Sequence, residues 1–330
     1  VMDRIGRELH AVIAQRPEAA ELGEALSRFL GSLVPHDALR LHCANPAQGL
    51  NVGALSVWHG YEPGLGQELL LSHHRGEDPC SPARLANAEL PAAWVDADYP
   101  VFRAHGVGCE LRVLLRDARG VWGLLGLLRA EGAGPFRQAD ARRLTGAIPL
   151  LISLVRTLVT SHPLAPPTAA PLAGVIILDG RHRTKAITPA ARQWIDLLAA
   201  PGRFGPPPWT AEPFNVGMSL AVRRGGATPL FCFPPISFGR WVTVQGQPLD
   251  GEVAIVIQAA GLAALRAFGE WFGMTGRECA ITEELCTGAA PKQIARRLEV
   301  SLHTVNSHLR SIYRKTGADG RDELLAAFGS

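Results

Sequence analysis

The densest run of residues suited to contacting a polyanion lies between Pro291 and Thr316. It holds six cations (Lys292, Arg296, Arg297, Arg310, Arg314 and Lys315) against one carboxylate, Glu299. This local charge of +5 exceeds the +3 of the whole 330-residue chain, so the remainder carries −2 and has no general attraction to nucleic acid. Between the cations stand His303, Thr304, Asn306 and Ser307, short polar side chains of the kind that hydrogen-bond base edges, while arginines hold phosphates. No other chemistry has comparable support. The six cysteines (43, 80, 109, 232, 279 and 286) show no CxxC spacing, which argues against a zinc site or a disulfide scaffold. His36, His42, His73, His74 and His105 lack ligand spacing, so no metal site is expected and a haem has no specific support. A phosphate-binding glycine loop, GxSxG and HExxH are all missing, so an enzyme is not expected.

The elements that must position these residues can be read directly. Pro291–Leu298 reads as a two-turn helix, Ser301 as an N-cap, and Leu302 to about Lys315 as a second helix, together a helix-turn-helix. On the second helix Val305, Leu309 and Ile312 share a buried face. Its opposite face carries the polar residues toward the N-terminus and Arg310 and Arg314 beyond, the layout of a recognition helix.

Residues 274–328 closely resemble the LuxR-type (GerE-like) helix-turn-helix family. The resemblance runs through Met274-Thr275-Gly276-Arg277-Glu278, Gly288, Ile294-Ala295, Leu298, Val300-Ser301, Thr304-Val305 and His308, and ends in Ile312, Lys315, Gly317, Arg321 and Glu323-Leu324. It implies a four-helix domain that docks on double-stranded DNA as a homodimer, with Lys292 on phosphate and Thr304, Val305 and Asn306 facing the groove. The expected DNA-contacting set is thus Lys292, Ser301, His303, Thr304, Val305, Asn306, Ser307, Arg310, Arg314 and Lys315. The resemblance assigns the last helix, with Arg321, Leu324, Leu325 and Phe328, to the partner subunit. Asn306 departs from the family's common lysine, and an amide favours adenine where lysine favours guanine or phosphate.

The preceding chain divides at a Pro-rich linker, residues 161–171, whereas the second Pro-rich stretch, 201–213, reads as a loop within a domain. Residues 18–160 give a helix, alternating strands, a hairpin over 110–116 and 121–129, and a long helix over 137–159. Residues 172–260 begin with the strand GVIILDG, then a helix capped by Thr188-Pro189, then strands near 219–223, 240–245 and 253–258. The expected fold is two α+β sensor modules followed by an all-α four-helix DNA-binding domain, 274–330. A connecting helix, 261–273, carries a seam of Leu262, Leu265, Phe268 and Phe272. The first module resembles GAF domains and the second PAS modules, which implies small-molecule binding or subunit pairing.

Trp58, Tyr61, Asp78-Pro79 and Trp94 resemble, in order, the ligand set of acyl-homoserine-lactone sensors, although the Trp58–Tyr61 spacing is one residue short. They are the candidate effector-binding residues. The alternative is a constitutive regulator whose modules only dimerise or bind partners. No apolar stretch reaches membrane-span length and no secretory signal is read at the N-terminus, so a cytoplasmic bacterial protein is expected.

Overall fold

A computed structural model describes residues 2–48, 55–200, 203–225 and 229–328. In the first module, helices α1 (Met2–Ala14) and α2 (Ala19–Leu33) precede strands β1 (Ala38–Cys43) and β2 (Leu55–His59). Helices α3 (Pro63–Arg75) and α4 (Pro82–Ala86), strand β3 (Ala92–Asp96) and helix α5 (Pro100–Ala104) lead into the hairpin of β4 (Val107–Asp117) and β5 (Gly120–Ala130). Helices α6 (Gln138–Gly146) and α7 (Ile148–Thr160) follow. The five strands pair antiparallel in the order β2-β1-β5-β4-β3. Alternation puts Leu39, Leu41, Leu111, Val113, Leu125 and Leu127 in a core with α2, α6 and α7. Leu114, Leu124 and Leu128 face the other way, into a core with α3, α4 and α5.

The second module contains β6 (Gly174–Leu178), β7 (Thr184–Ile187), α8 (Pro189–Leu198), α9 (Ala211–Arg223), β8 (Leu230–Phe233), α10 (Pro235–Phe238), β9 (Val242–Leu249) and β10 (Glu252–Ala259). Its strand order, β7-β6-β10-β9-β8, repeats that of the first sheet. Thr188 caps α8 as expected, its side chain accepting from the Ala191 amide. Gly174 is required here, because a Cβ would lie 2.5 Å from the Ala191 backbone where β6 passes under α8.

Two expectations are corrected. Residues 219–223 are the end of helix α9, not a strand; five residues of alternating polarity cannot separate the two periods, and the helical run begins eight residues earlier, at Ala211. The 137–159 helix is two helices meeting at 46°, with Pro149 opening the second, where its missing N–H costs nothing. Strands β3, β7 and β8, of four or five residues each, had no sequence reading.

The C-terminal part comprises α11 (Leu265–Phe272), α12 (Gly276–Cys286), α13 (Pro291–Arg297), α14 (Leu302–Thr316) and α15 (Arg321–Ala326). Helix α11 is welded to the first module. Trp271 packs on Trp122 (ring centroids 5.3 Å apart), Arg156 donates to the Trp271 carbonyl, and the Asn45 amide reaches the Ala267 carbonyl at 2.9 Å. Arg119 ties both Glu270 (2.9 Å) and the Met274 carbonyl (3.1 Å). Of the expected seam, Leu265, Phe268 and Phe272 are buried but Leu262 is 44% exposed, and Trp271 takes a place in the core that was not foreseen. Among the described residues no single helix is long and apolar enough to cross a membrane.

Candidate nucleic-acid interface and sensor cavity

Helix α12 is fixed by a reciprocal cap: Thr275 Oγ1 accepts from the Glu278 amide at 3.2 Å, and Glu278 accepts from the Thr275 amide at 2.7 Å. Glu278 also receives Lys315 Nζ at 2.7 Å. Burial pushes the Glu278 carboxyl up, but hydrogen bonds from Lys315, the Thr275 amide and Ser311 outweigh it and hold it at about 2. The turn between α13 and α14 puts Glu299 in the left-handed region at φ 54°, and the Val300 amide closes it on the Ala295 carbonyl at 2.9 Å. Ser301 then caps α14, its Oγ accepting from the Thr304 amide at 3.0 Å.

Val305, Leu309 and Ile312 point into the domain core with Ile281, Leu285, Ile294 and Leu324. Asn306, Ser307, Arg310 and Arg314 are exposed on the far face, His303 is exposed near its start, and Thr304 is half-exposed. Lys292 is exposed at the start of α13. The structure therefore brings most of the expected DNA-contacting residues to one surface. Three also have places within the domain. Val305 has 0% exposure and cannot reach a base, since it anchors the helix from behind. Lys315 is bound to the buried Glu278, so its charge braces the domain. Ser301 is spent on the cap and on the Thr304 hydroxyl, 2.8 Å away. Arg297 pairs with Glu284 at 2.5 Å. That leaves Lys292, Arg296, Arg310 and Arg314 without a carboxylate partner among the described residues.

With this geometry in view, residues 273–327 match the family described as bacterial regulatory proteins, luxR family. This segment is a LuxR-family regulatory domain. A monoamine regulon transcriptional regulator from Klebsiella aerogenes is 43% identical over 53 residues, covering 16% of this chain and 23% of that protein. The chain thus spans about a quarter of the length of this curated relative. Escherichia coli SdiA aligns over 98% of this chain and 96% of its own, at 14% identity and a TM-score of 0.35. A GAF domain/HD domain protein from Geobacter sulfurreducens aligns over 42% and 93%, at 19% identity and a TM-score of 0.26. Both scores are too low for the likeness to fix the fold of the first two modules.

In the LuxR-type domain, the residues assigned to a partner subunit are largely engaged within the chain. Leu324 has 0% exposure inside its own domain. Phe328 stacks at 5.0 Å on Phe268 of the connecting helix, and Arg321 donates to the Leu285 carbonyl at 3.3 Å. Leu325 and Arg321 are half-exposed.

Of the candidate effector residues, Trp58, Tyr61 and Asp78 come together and Trp94 does not. Trp94 pairs opposite Leu111, which places it on the other face of the sheet, where it is 41% exposed. The converging three surround a buried ionic network. Glu110 receives Arg40 Nε at 2.6 Å, Arg112 Nε at 2.8 Å and the Tyr61 hydroxyl at 3.2 Å. Arg112 also reaches Asp78 at 2.5 Å. Burial raises the Glu110 carboxyl, yet Arg112 and Arg40 pull harder and leave it lowered; burial and Glu110 push the Tyr61 phenol well up. Gly126 makes the room, since a Cβ there would stand 2.2 Å from Glu110 Oε1.

The second module closes over this network. Trp209 packs on Trp58 at 4.9 Å and lies so close above Gly66 that a Cβ there would stand 2.4 Å from its ring. Gln67 bonds Glu212 at 2.6 Å, and Arg224 bonds the His74 carbonyl at 2.8 Å. A cavity of about 1340 Å³ lies between the modules, bordered by Arg40, His42 and Asp78 on one side and Trp194, Phe214 and Phe231 on the other. Burial, helped by nearby cations, holds His42 well below the ordinary imidazole value and lowers His74 to about 4, so both are neutral at pH 7. Among the described residues no group of His, Cys, Asp and Glu is placed to hold a metal, and all six cysteines are free.

Proposed function

We propose that the chain is a sequence-specific transcription regulator that binds duplex DNA through the exposed face of α14 and answers to a small molecule held by its sensor modules. The observation that carries this is the exposed surface made by Asn306, Ser307, Arg310, Arg314 and Lys292, whose cations have no carboxylate partner among the described residues, on a LuxR-type domain. Thr304 and Asn306 read bases; Arg310, Arg314 and Lys292 hold phosphates. Two copies act together on half-sites about one DNA turn apart. We read the first module as GAF-like and the second as PAS-like on their shared strand order and flanking helices, in a protein of the bacterial cytoplasm. Selection of duplexes from a random library by the full chain tests the reading. One enriched motif, shifted by Thr304→Ala or Asn306→Ala, supports it; no enrichment over bulk DNA overturns it.

A further inference from the structure

The cavity between the modules differs in kind along its walls. The second module gives it an apolar surface: Trp194, Phe214, Met218, Phe231, Phe233 and Ile255 all line it from the inner face of the sheet and from α8 and α9. Its charged lining is one-sided. Arg40, Arg203, Arg224 and Arg266 line it against one carboxylate, Asp78, and Arg112 already takes that carboxylate. Arg40 is matched by Glu110, whereas Arg203, Arg224 and Arg266 have no carboxylate partner among the described residues.

Arg203 stands apart because it is only half-exposed and sits beside a second uncompensated cation. Arg240 is 8% exposed and its guanidinium donates to the Thr168 carbonyl, a neutral group. Burial first, then Arg203, disfavours the charge on Arg240. The Arg203 guanidinium also lies against Gly239, where a Cβ would stand 2.5 Å from it, so the fold leaves no room for a side chain between the two. A half-exposed guanidinium that lines the cavity beside a second, buried cation gains from an anion bound on the cavity side.

The same cavity is lined by Ala263, Arg266 and Ala267, the start of the connecting segment that carries the LuxR-type domain. A molecule filling it touches both modules and the root of α11.

We propose that this cavity binds an amphipathic organic anion, with its apolar body against Phe214, Met218 and Phe231 and its anionic head on Arg203. The proposal deepens the small-molecule reading above and rests on it, but it is tested without DNA. Decanoate and decanol serve as probes of equal chain length, titrated calorimetrically into the full chain. Decanoate is expected to bind at least tenfold more tightly than decanol. Arg203→Gln should remove that preference, bringing decanoate binding down to the level of decanol, and Met218→Trp should weaken both by filling the apolar part. Arg203→Gln changes a half-exposed residue, so the test survives if Met218→Trp does not fold. Equal binding of the two probes, a preference that persists in Arg203→Gln, or no binding of either probe up to its solubility limit overturns the proposal. If operator selection fails while decanoate binds as expected, the DNA-binding reading falls and this one stands.

Discussion

At the scale of single residues, α14 divides its labour by helical geometry alone. Positions 305, 309 and 312 hold the core, and of the positions between them 306, 307 and 310 are exposed on the opposite face. This division was legible in the sequence for the polar face, and the pattern of Val305, Leu309 and Ile312 had already placed Val305 inside. The resemblance assigned Val305 to the groove, and the residue-level pattern was the better guide. Lys315 was not legible as a structural cation, because its partner Glu278 is 37 residues away and only the packing of α12 on α14 joins them. Two predictions belong here. Glu278→Gln removes a carboxylate whose folded-state value, about 2, lies below its ordinary 4.5. That stabilisation is complete above pH 4.5 and is lost as pH falls toward 2. The variant should therefore lose about 2 kcal/mol at pH 7 and show a flatter acid limb in pH-dependent unfolding. Asn306→Lys should move the selected motif toward guanine at one position, as binding across a duplex library will report; identical preferences would show that Asn306 reads no base.

At the scale of elements, the paired modules show why strand alternation was readable and strand count was not. Leu39, Leu41 and Cys43, or Leu55 and Val57, announce a face. Edge strands such as β7, with its exposed Thr184 and Lys185, bury too little to leave a pattern. The same pleat explains Trp94: order along the chain suggested a set of four, but its register with Leu111 sends it to the opposite face. The Glu110 network was invisible because its members come from β1, α3's trailing loop and β4, and because charged residues in strands usually mark the solvent side. Gly126→Ala tests it. A methyl group forced against Glu110 should cost about 2–4 kcal/mol in denaturant unfolding, while Gly146→Ala, at an exposed helical position with open space, should cost no more than about 0.5 kcal/mol.

For the whole molecule, one short helix, α11, contacts all three parts among the described residues. Helix α11 touches the first module through Trp271, the second through Phe268 on Trp241 at 5.6 Å, and the LuxR-type domain through Phe268 on Phe328. The apolar character of the seam was legible; its three-way contact was not, since no local pattern records which distant faces converge. Phe268→Ala should cost about 3–4 kcal/mol and should speed hydrogen exchange in α15 more than in α14, because α15 loses the packing partner of Phe328. Equal acceleration along both helices would mean that the domain does not lean on this contact.

The proposed grip of the exposed face of α14 and Lys292 on the DNA backbone carries the function. It is tested most directly by the salt dependence of binding of the full chain to a selected duplex, measured by fluorescence anisotropy for the wild type, Lys292→Ala, Arg310→Ala and the double variant. If both residues contact phosphates, each single change lowers the slope of log K against log salt by about 1, and the double change lowers it by about 2. Slopes that match the wild type in all three variants would show that neither residue contacts phosphate.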